Sequence, residues 1–165
     1  MKKVLISLAL SLFSIAGQAE NHSMGIGAAN LDADPVSITG LQLNYSAMWD
    51  NGLGLGLDFM PSASDDENGV DIEVSSAFAL KARYGIQPTE STYVYLTAGW
   101  AGATAKASFG GESVSETAQD FVYGVGAELF TSGNVGFGVE YTLGNGDLED
   151  FDVFQAVLKY RFAPE

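Results

Sequence analysis

Three short segments carry glycine and an acid at one spacing: Gly54, Gly56 and Asp58; Gly124, Gly126 and Glu128; Gly136, Gly138 and Glu140. Paired glycines near an acid raise the possibility of a phosphate cradle. A dinucleotide fingerprint needs a third glycine three residues beyond the second, at the opening of a helix. That position holds Phe59, Leu129 and Tyr141 instead, and no G-K-[ST] triplet occurs in the chain. Leucine, valine, alanine or phenylalanine fills the alternate positions. Small and acidic residues on one parity with apolar residues on the other describe a strand with two unlike faces, not a loop.

The basic residues follow the same parity rule. Lys81, Arg83, Lys159 and Arg161 all fall on the polar face of strand-like segments, the face that also receives Asp58, Glu128 and Glu140. A water-exposed sheet would scatter its charges along every strand. An interior too narrow for bulk water must instead pair its few charges and hydrogen-bond them. These seven residues are therefore expected to form a charge network inside a barrel. The six glycines are expected to face the same lumen and to make room there for larger side chains, an offset for the weakening that glycine brings to a strand.

Other candidate chemistry is sparse. The single histidine, His22, stands beside Ser23 with no second catalytic partner in sight, so no His/Ser/acid constellation forms and no enzymatic activity is expected. The segment "SDDENGVDIE" places Asp66, Asn68 and Gly69 much as a calcium loop would, but Ser64 and Ser75 occupy its first and twelfth ligand positions. It is read as solvated loop charge, with no metal site and no cofactor. Weak divalent bridging from these carboxylates to lipopolysaccharide phosphates is the alternative.

Strands are what must position these residues. Period-two segments run over about 22–31, 37–49, 53–61, 72–85, 92–104, 118–130, 135–144 and 151–162. Tight turns, "DNG", "IQPTES" and "TSGN", alternate with "DADPV", "SASDDENGVD", "AKASFGGESVSE" and "NGDLED", which are mostly longer and acidic. Eight antiparallel strands with short and long connections in turn give an all-β, up-and-down transmembrane barrel. Val94, Leu96, Ala98 and Trp100 make one apolar face, and Val74, Phe78, Leu80, Ala82 and Tyr84 another.

The first nineteen residues read as a cleaved signal peptide. Lys2 and Lys3 precede an apolar run from Val4 to Ala16, and Gly17-Gln18-Ala19 supplies small residues for cleavage. Residues 20–165 then form one domain. Without Lys2 and Lys3 it carries five basic against 21 acidic residues, a formal charge of −16, which argues against nucleic-acid binding. The absence of cysteine rules out a disulfide framework.

Alternation alone leaves open which face points outward. A secreted lipocalin-like carrier of a small apolar ligand would turn the apolar face in; a membrane barrel turns it out. The aromatic residues favour the membrane. Trp49, Tyr84, Tyr160 and Phe162 lie on the apolar face at the short-turn end, and Phe59, Trp100, Phe121, Tyr141 and Phe154 towards the long loops. Rings at both boundaries form the girdles of a bilayer-spanning barrel. Eight strands enclose a bore just wide enough for side chains, so large porin conductance is not expected, a very small pore being the alternative.

With these features the chain resembles the small eight-stranded outer-membrane barrels of the OmpA/OmpX type, across about 22–162. Its last strand, "AVLKYRF", is similar to the family's C-terminal assembly signal, an alternating apolar strand ending on phenylalanine, here Phe162 and followed by Ala163-Pro164-Glu165. The resemblance implies the cell outer membrane of a Gram-negative envelope, with both termini periplasmic. As partners it implies outer-membrane lipid, lipopolysaccharide and the barrel-assembly machinery. The chain stops where a peptidoglycan-binding domain would follow in larger members, and a monomer is expected. The role this leaves is structural or surface-interaction, with a plugged lumen.

Overall fold

The computed structural model describes residues 19, 21–33, 36–67, 70–89, 91–109, 112–131, 133–145 and 150–162. The signal-peptide assignment of 1–19, Ala19 apart, lies outside these residues, as do Asn68, Gly69 and the tail 163–165.

The described residues form nine antiparallel strands: β1 (Asn21–Ala33), β2 (Val36–Met48), β3 (Leu53–Met60), β4 (Ala63–Glu67), β5 (Val70–Thr89), β6 (Thr92–Phe109), β7 (Glu112–Phe130), β8 (Val135–Asn145) and β9 (Asp150–Phe162). β3 and β4 are two segments of one stave, interrupted at Pro61 and Ser62, and both pair with β5. Proline cannot donate to a ladder, which explains the interruption. The eight staves follow chain order. β1 pairs with β9 from His22 opposite Phe162 to Asp32 opposite Asp152, and the β3–β5 ladder from Leu53 opposite Tyr84 completes the ring. Closure leaves the backbone of the ring no free edge, which a chain needs in hydrocarbon, where water cannot satisfy an unpaired amide.

The two faces are inverted relative to a water-soluble barrel. Lys81, Arg83, Glu128, Glu140 and Lys159 are each no more than 3% exposed, whereas Leu96, Trp100, Leu158 and Phe137 stand at 50–66% on the outside. The outer face of β6 is Val94, Leu96, Ala98 and Trp100, as the alternation predicts. Trp100 meets Phe121 edge-on at 5.7 Å between centroids, and Tyr160 meets Phe162 likewise at 5.4 Å. Phe59, Tyr84 and Tyr141 are exposed on the same outer face, while Trp49 is half-buried in the turn before β3. That turn depends on Gly52, whose φ of +81° suits glycine and whose carbonyl accepts from the Gly85 amide and the Tyr93 hydroxyl.

Two expectations about strand extent and facing are corrected. The segments "SASDDENGVD" and "AKASFGGESVSE", read as loops, are largely strand: β4 and the start of β5 pair Asp66 with Asp71, and β6 and β7 pair out to Phe109 opposite Glu112. Beyond the bilayer no apolar face is required, so polar, small-residue sequence can continue a hairpin without the alternation that marks a strand. The second correction concerns Val74, placed with the outward residues Phe78 to Tyr84. A register shift between Val74 and Ser76 inserts one residue, and Val74 turns inward to pack with Ala29, Ile38, Met60 and Ala63, leaving Glu73 exposed. A bulge reverses the parity of everything beyond it.

Candidate functional site: a charged ring in the barrel interior

The acids that close the glycine patterns meet the bases across the bore. Lys81 on β5 pairs with both Asp58 on β3 and Glu140 on β8. Arg83, two residues further along β5, reaches Glu140 Oε2 at 2.8 Å and Glu128 Oε1 on β7 at 3.0 Å. Lys159 on β9 pairs with Glu128 and donates to Ser46 Oγ at 2.9 Å. Ser46 shares a 2.7 Å hydrogen bond with Ser23 on β1. At the other end of the chain of contacts Asn44 donates to Asp58 Oδ1 at 2.6 Å.

The contacts close on themselves, because Asn44 and Ser46 both belong to β2. Three acids face three bases, so the ring carries no formal charge, the condition under which ionised groups can remain buried. Tyr95 on β6 adds the remaining stave. Its hydroxyl donates to Glu140 Oε2 at 2.9 Å, and its ring lies 4.5 Å beneath the Arg83 guanidinium. Every stave of the barrel therefore contributes a side chain to one network.

Arg161 does not join it. Its guanidinium lies 3.7 Å over the Phe130 ring, half-buried nearer the short-turn end. Placing it on the polar face located its side of the sheet but not its height. Tyr95, conversely, was not singled out from sequence. The signal was present in the strict alternation of Tyr93, Tyr95, Thr97 and Gly99 against Val94, Leu96, Ala98 and Trp100, since a fixed outer face sends its alternates inward.

The glycines divide into two kinds. A Cβ at Gly126 would sit 2.4 Å from Tyr95 Cζ, one at Gly56 2.8 Å from Arg83 Nε, and one at Gly138 3.1 Å from Lys159 Cδ. These make room for ring side chains. Gly136 stands against the Phe130 ring at 2.5 Å, and Gly54 lies 3.1 Å from the Ala47 carbonyl and 3.4 Å from Arg83 Cβ. Gly124 is different: its Cβ would fall 2.1 Å from the Tyr141 carbonyl oxygen, so it permits close approach of two backbones rather than space for a side chain. Gly27, Gly85 and Gly99 do the same against Ala156, Val94 and Leu80; Gly85 and Gly99 stand alone in the sequence, and the pair Gly25 and Gly27 is not followed by an acid.

His22 Nδ1 is 2.8 Å from the Tyr45 hydroxyl, which occupies it in a contact between neighbouring strands. Among the described residues no group of three or more histidine, cysteine, aspartate or glutamate side chains is arranged to hold a metal.

Comparison with known proteins places this geometry. The model of a family described as "Outer membrane protein beta-barrel domain" matches residues 5–162. Among solved structures, Ail, the attachment invasion locus protein of Yersinia pestis, superposes with a TM-score of 0.67 at 20% identity, covering 88% of this chain and 100% of that one. OprG of Pseudomonas aeruginosa gives 0.65 at 14% identity, covering 88% and 97%. Neisserial surface protein A gives 0.62 at 16% identity, covering 87% and 96%. Nothing matches among curated proteins. At these identities the structures share the fold.

Proposed function

The chain belongs to the outer membrane protein beta-barrel domain family, and from that premise we propose that it is a non-enzymatic, monomeric integral barrel whose lumen is closed to diffusion and whose role is structural or surface-interacting. The observation that carries the closed lumen is the ring itself: three buried ion-paired bases and three acids, drawn from all sides, occupy the bore in the half nearer the short turns. An ion crossing it would have to break contacts whose loss leaves buried charge uncompensated. The apolar outer face argues against a secreted carrier, which would keep those side chains inside.

In this reading the short turns and both termini are periplasmic. The β5–β6–β7 extension and the longer connections face outward, towards lipopolysaccharide, and β9 is what the assembly machinery engages. Any surface partner meets an acidic rim that includes Asp32, Glu73, Glu116 and Asp150. Ail has been solved with the heparin analogue sucrose octasulfate; a polysulfated ligand would be repelled by this rim, and that binding is not carried over.

The chain has no cysteine, so a single introduced thiol reports orientation. Ser113→Cys is expected to label on intact cells with a membrane-impermeant maleimide, and Thr131→Cys only after the outer membrane is opened. Labelling of Thr131→Cys alone on intact cells reverses the assignment. In planar bilayers the purified protein is expected to give no steady nanosiemens openings, and such openings from monomer overturn the closed lumen.

A further inference from the structure

Above the charged ring, towards the long loops, the bore is not filled. A cavity of about 300 Å³ lies there. Alanines on four strands, Ala29, Ala77, Ala79, Ala101, Ala103 and Ala118, form one part of its wall, beside larger apolar residues such as Met60, Val74 and Val122. The contrast within one lumen is sharp: arginine, lysine and tyrosine crowd one half, and methyl groups line the other. A void left open inside a packed structure is destabilising, and apolar walls of this kind accept the apolar part of a small molecule.

Two polar side chains make the cavity more than a packing defect. Gln42 on β2 and Gln155 on β9 line it and are each 4% exposed. The described residues make no hydrogen bond to either side-chain amide, although the neighbouring buried groups Lys81, Glu140 and Thr142 are engaged. Both amides keep their donors and acceptors free for whatever occupies the cavity, so a bound hydrogen-bonding group finds partners there. Charge then narrows the class. Asp120 lines the wall, and Asp58 and Lys81 reach the cavity already paired with one another. Asp32, Asp150 and Asp152 stand on the strand ends above. No unpaired base among the cavity-lining residues awaits an anion.

We propose that this cavity is a binding site for a small molecule with an apolar body and one non-anionic hydrogen-bonding head, the body among the alanines and the head between the amides of Gln42 and Gln155. The site lies on the outward side of the ring, so its ligand enters from the long-loop end and stops above the ring.

Three probes of nearly equal size test it: benzyl alcohol, benzylamine and benzoate, titrated into the isotope-labelled full-length barrel in phospholipid nanodiscs. The side-chain amide resonances of Gln42 and Gln155 are expected to shift and saturate with benzyl alcohol and benzylamine, while those of Gln87 and Gln119 do not. Benzoate is expected to bind at least tenfold more weakly. Ala103→Leu, which fills the cavity, is expected to abolish saturation while keeping heat-modifiable migration; Ala77→Val serves the same purpose from the neighbouring strand, where it pairs with Ala103, should the larger side chain impair folding. Shifts that rise linearly with concentration, that are unchanged in the filled variant, or that follow benzoate as readily as the alcohol overturn the proposal. A porin-like conductance would overturn the closed lumen and leave these shifts unaffected, so the two readings fail separately.

Discussion

Replacing Arg83 with methionine is expected to remove about 3–5 kcal/mol of folding free energy, the range for breaking one partner out of a buried ion-pair network. Arg83 is 2% exposed and ties Glu128 to Glu140, so it joins the two halves of the ring. Methionine preserves most of the aliphatic stem, and each glutamate keeps one lysine, Glu140 with Lys81 and Glu128 with Lys159. What is lost is neutrality: two bases then face three acids in a space without bulk water. The same substitution removes the guanidinium stacked on Tyr95. Urea titration in lipid vesicles reads the loss. The double variant Arg83→Met, Glu140→Gln restores two bases against two acids and is expected to recover part of it, because replacing both members of a buried pair costs far less than orphaning one. A single variant as stable as the natural protein, or a double variant less stable than the single, would show that the ring is hydrated and its pairs weak.

The interior was legible in the sequence to the extent that side-chain direction has period two. Once Leu53, Leu57 and Phe59 are assigned to lipid, Asp58 must point into the bore, and the argument transfers to Glu128, Glu140, Lys81, Arg83 and Lys159. Parity carries no information about height, which is why Arg161 shares a face with the ring bases and yet does not reach the ring. Nor can parity survive an inserted residue, and the bulge at Val74–Ser76 turned Val74 inward and Glu73 outward. The hairpin continuing β6 and β7 carries no strand signature for another reason. Alternation appears only where a strand separates two solvents, and past the bilayer both faces of Ser113–Thr117 are exposed to water. The alanine-lined cavity left no trace either, since alanine on an inner face reads the same whether it is packed or bare.

The glycines allow a second test with an effect of comparable size, because their two kinds respond differently to one methyl group. At Gly99 an added Cβ would lie 2.0 Å from the Leu80 carbonyl oxygen and 2.7 Å from Lys81 Cα. Both atoms belong to the backbone of the neighbouring strand and cannot move without opening the β5–β6 ladder, which pairs Lys81 with Gly99. At Gly138 the Cβ would meet Lys159 Cδ at 3.1 Å and Val157 Cγ2 at 3.2 Å, both side-chain atoms. Alanine also gains in strand propensity over glycine, by roughly 0.5–1 kcal/mol. Gly138→Ala is therefore expected to change stability by about 1 kcal/mol or less, and Gly99→Ala to cost about 3 kcal/mol or more, at the upper end of overpacking penalties. Gly124→Ala, 2.1 Å from the Tyr141 carbonyl oxygen, should behave like Gly99→Ala. Leucine at Gly56 or Gly138 fills volume already taken by Arg83 or by Lys159 and Val157, and either substitution is expected to block folding. The urea midpoint and the heat-modified gel shift rank all five variants. Equal losses for alanine at 99 and 138 would mean that strand coiling does not depend on backbone contact at the first site. Heat-modifiable leucine variants at both 56 and 138 would place those positions outside the packed bore.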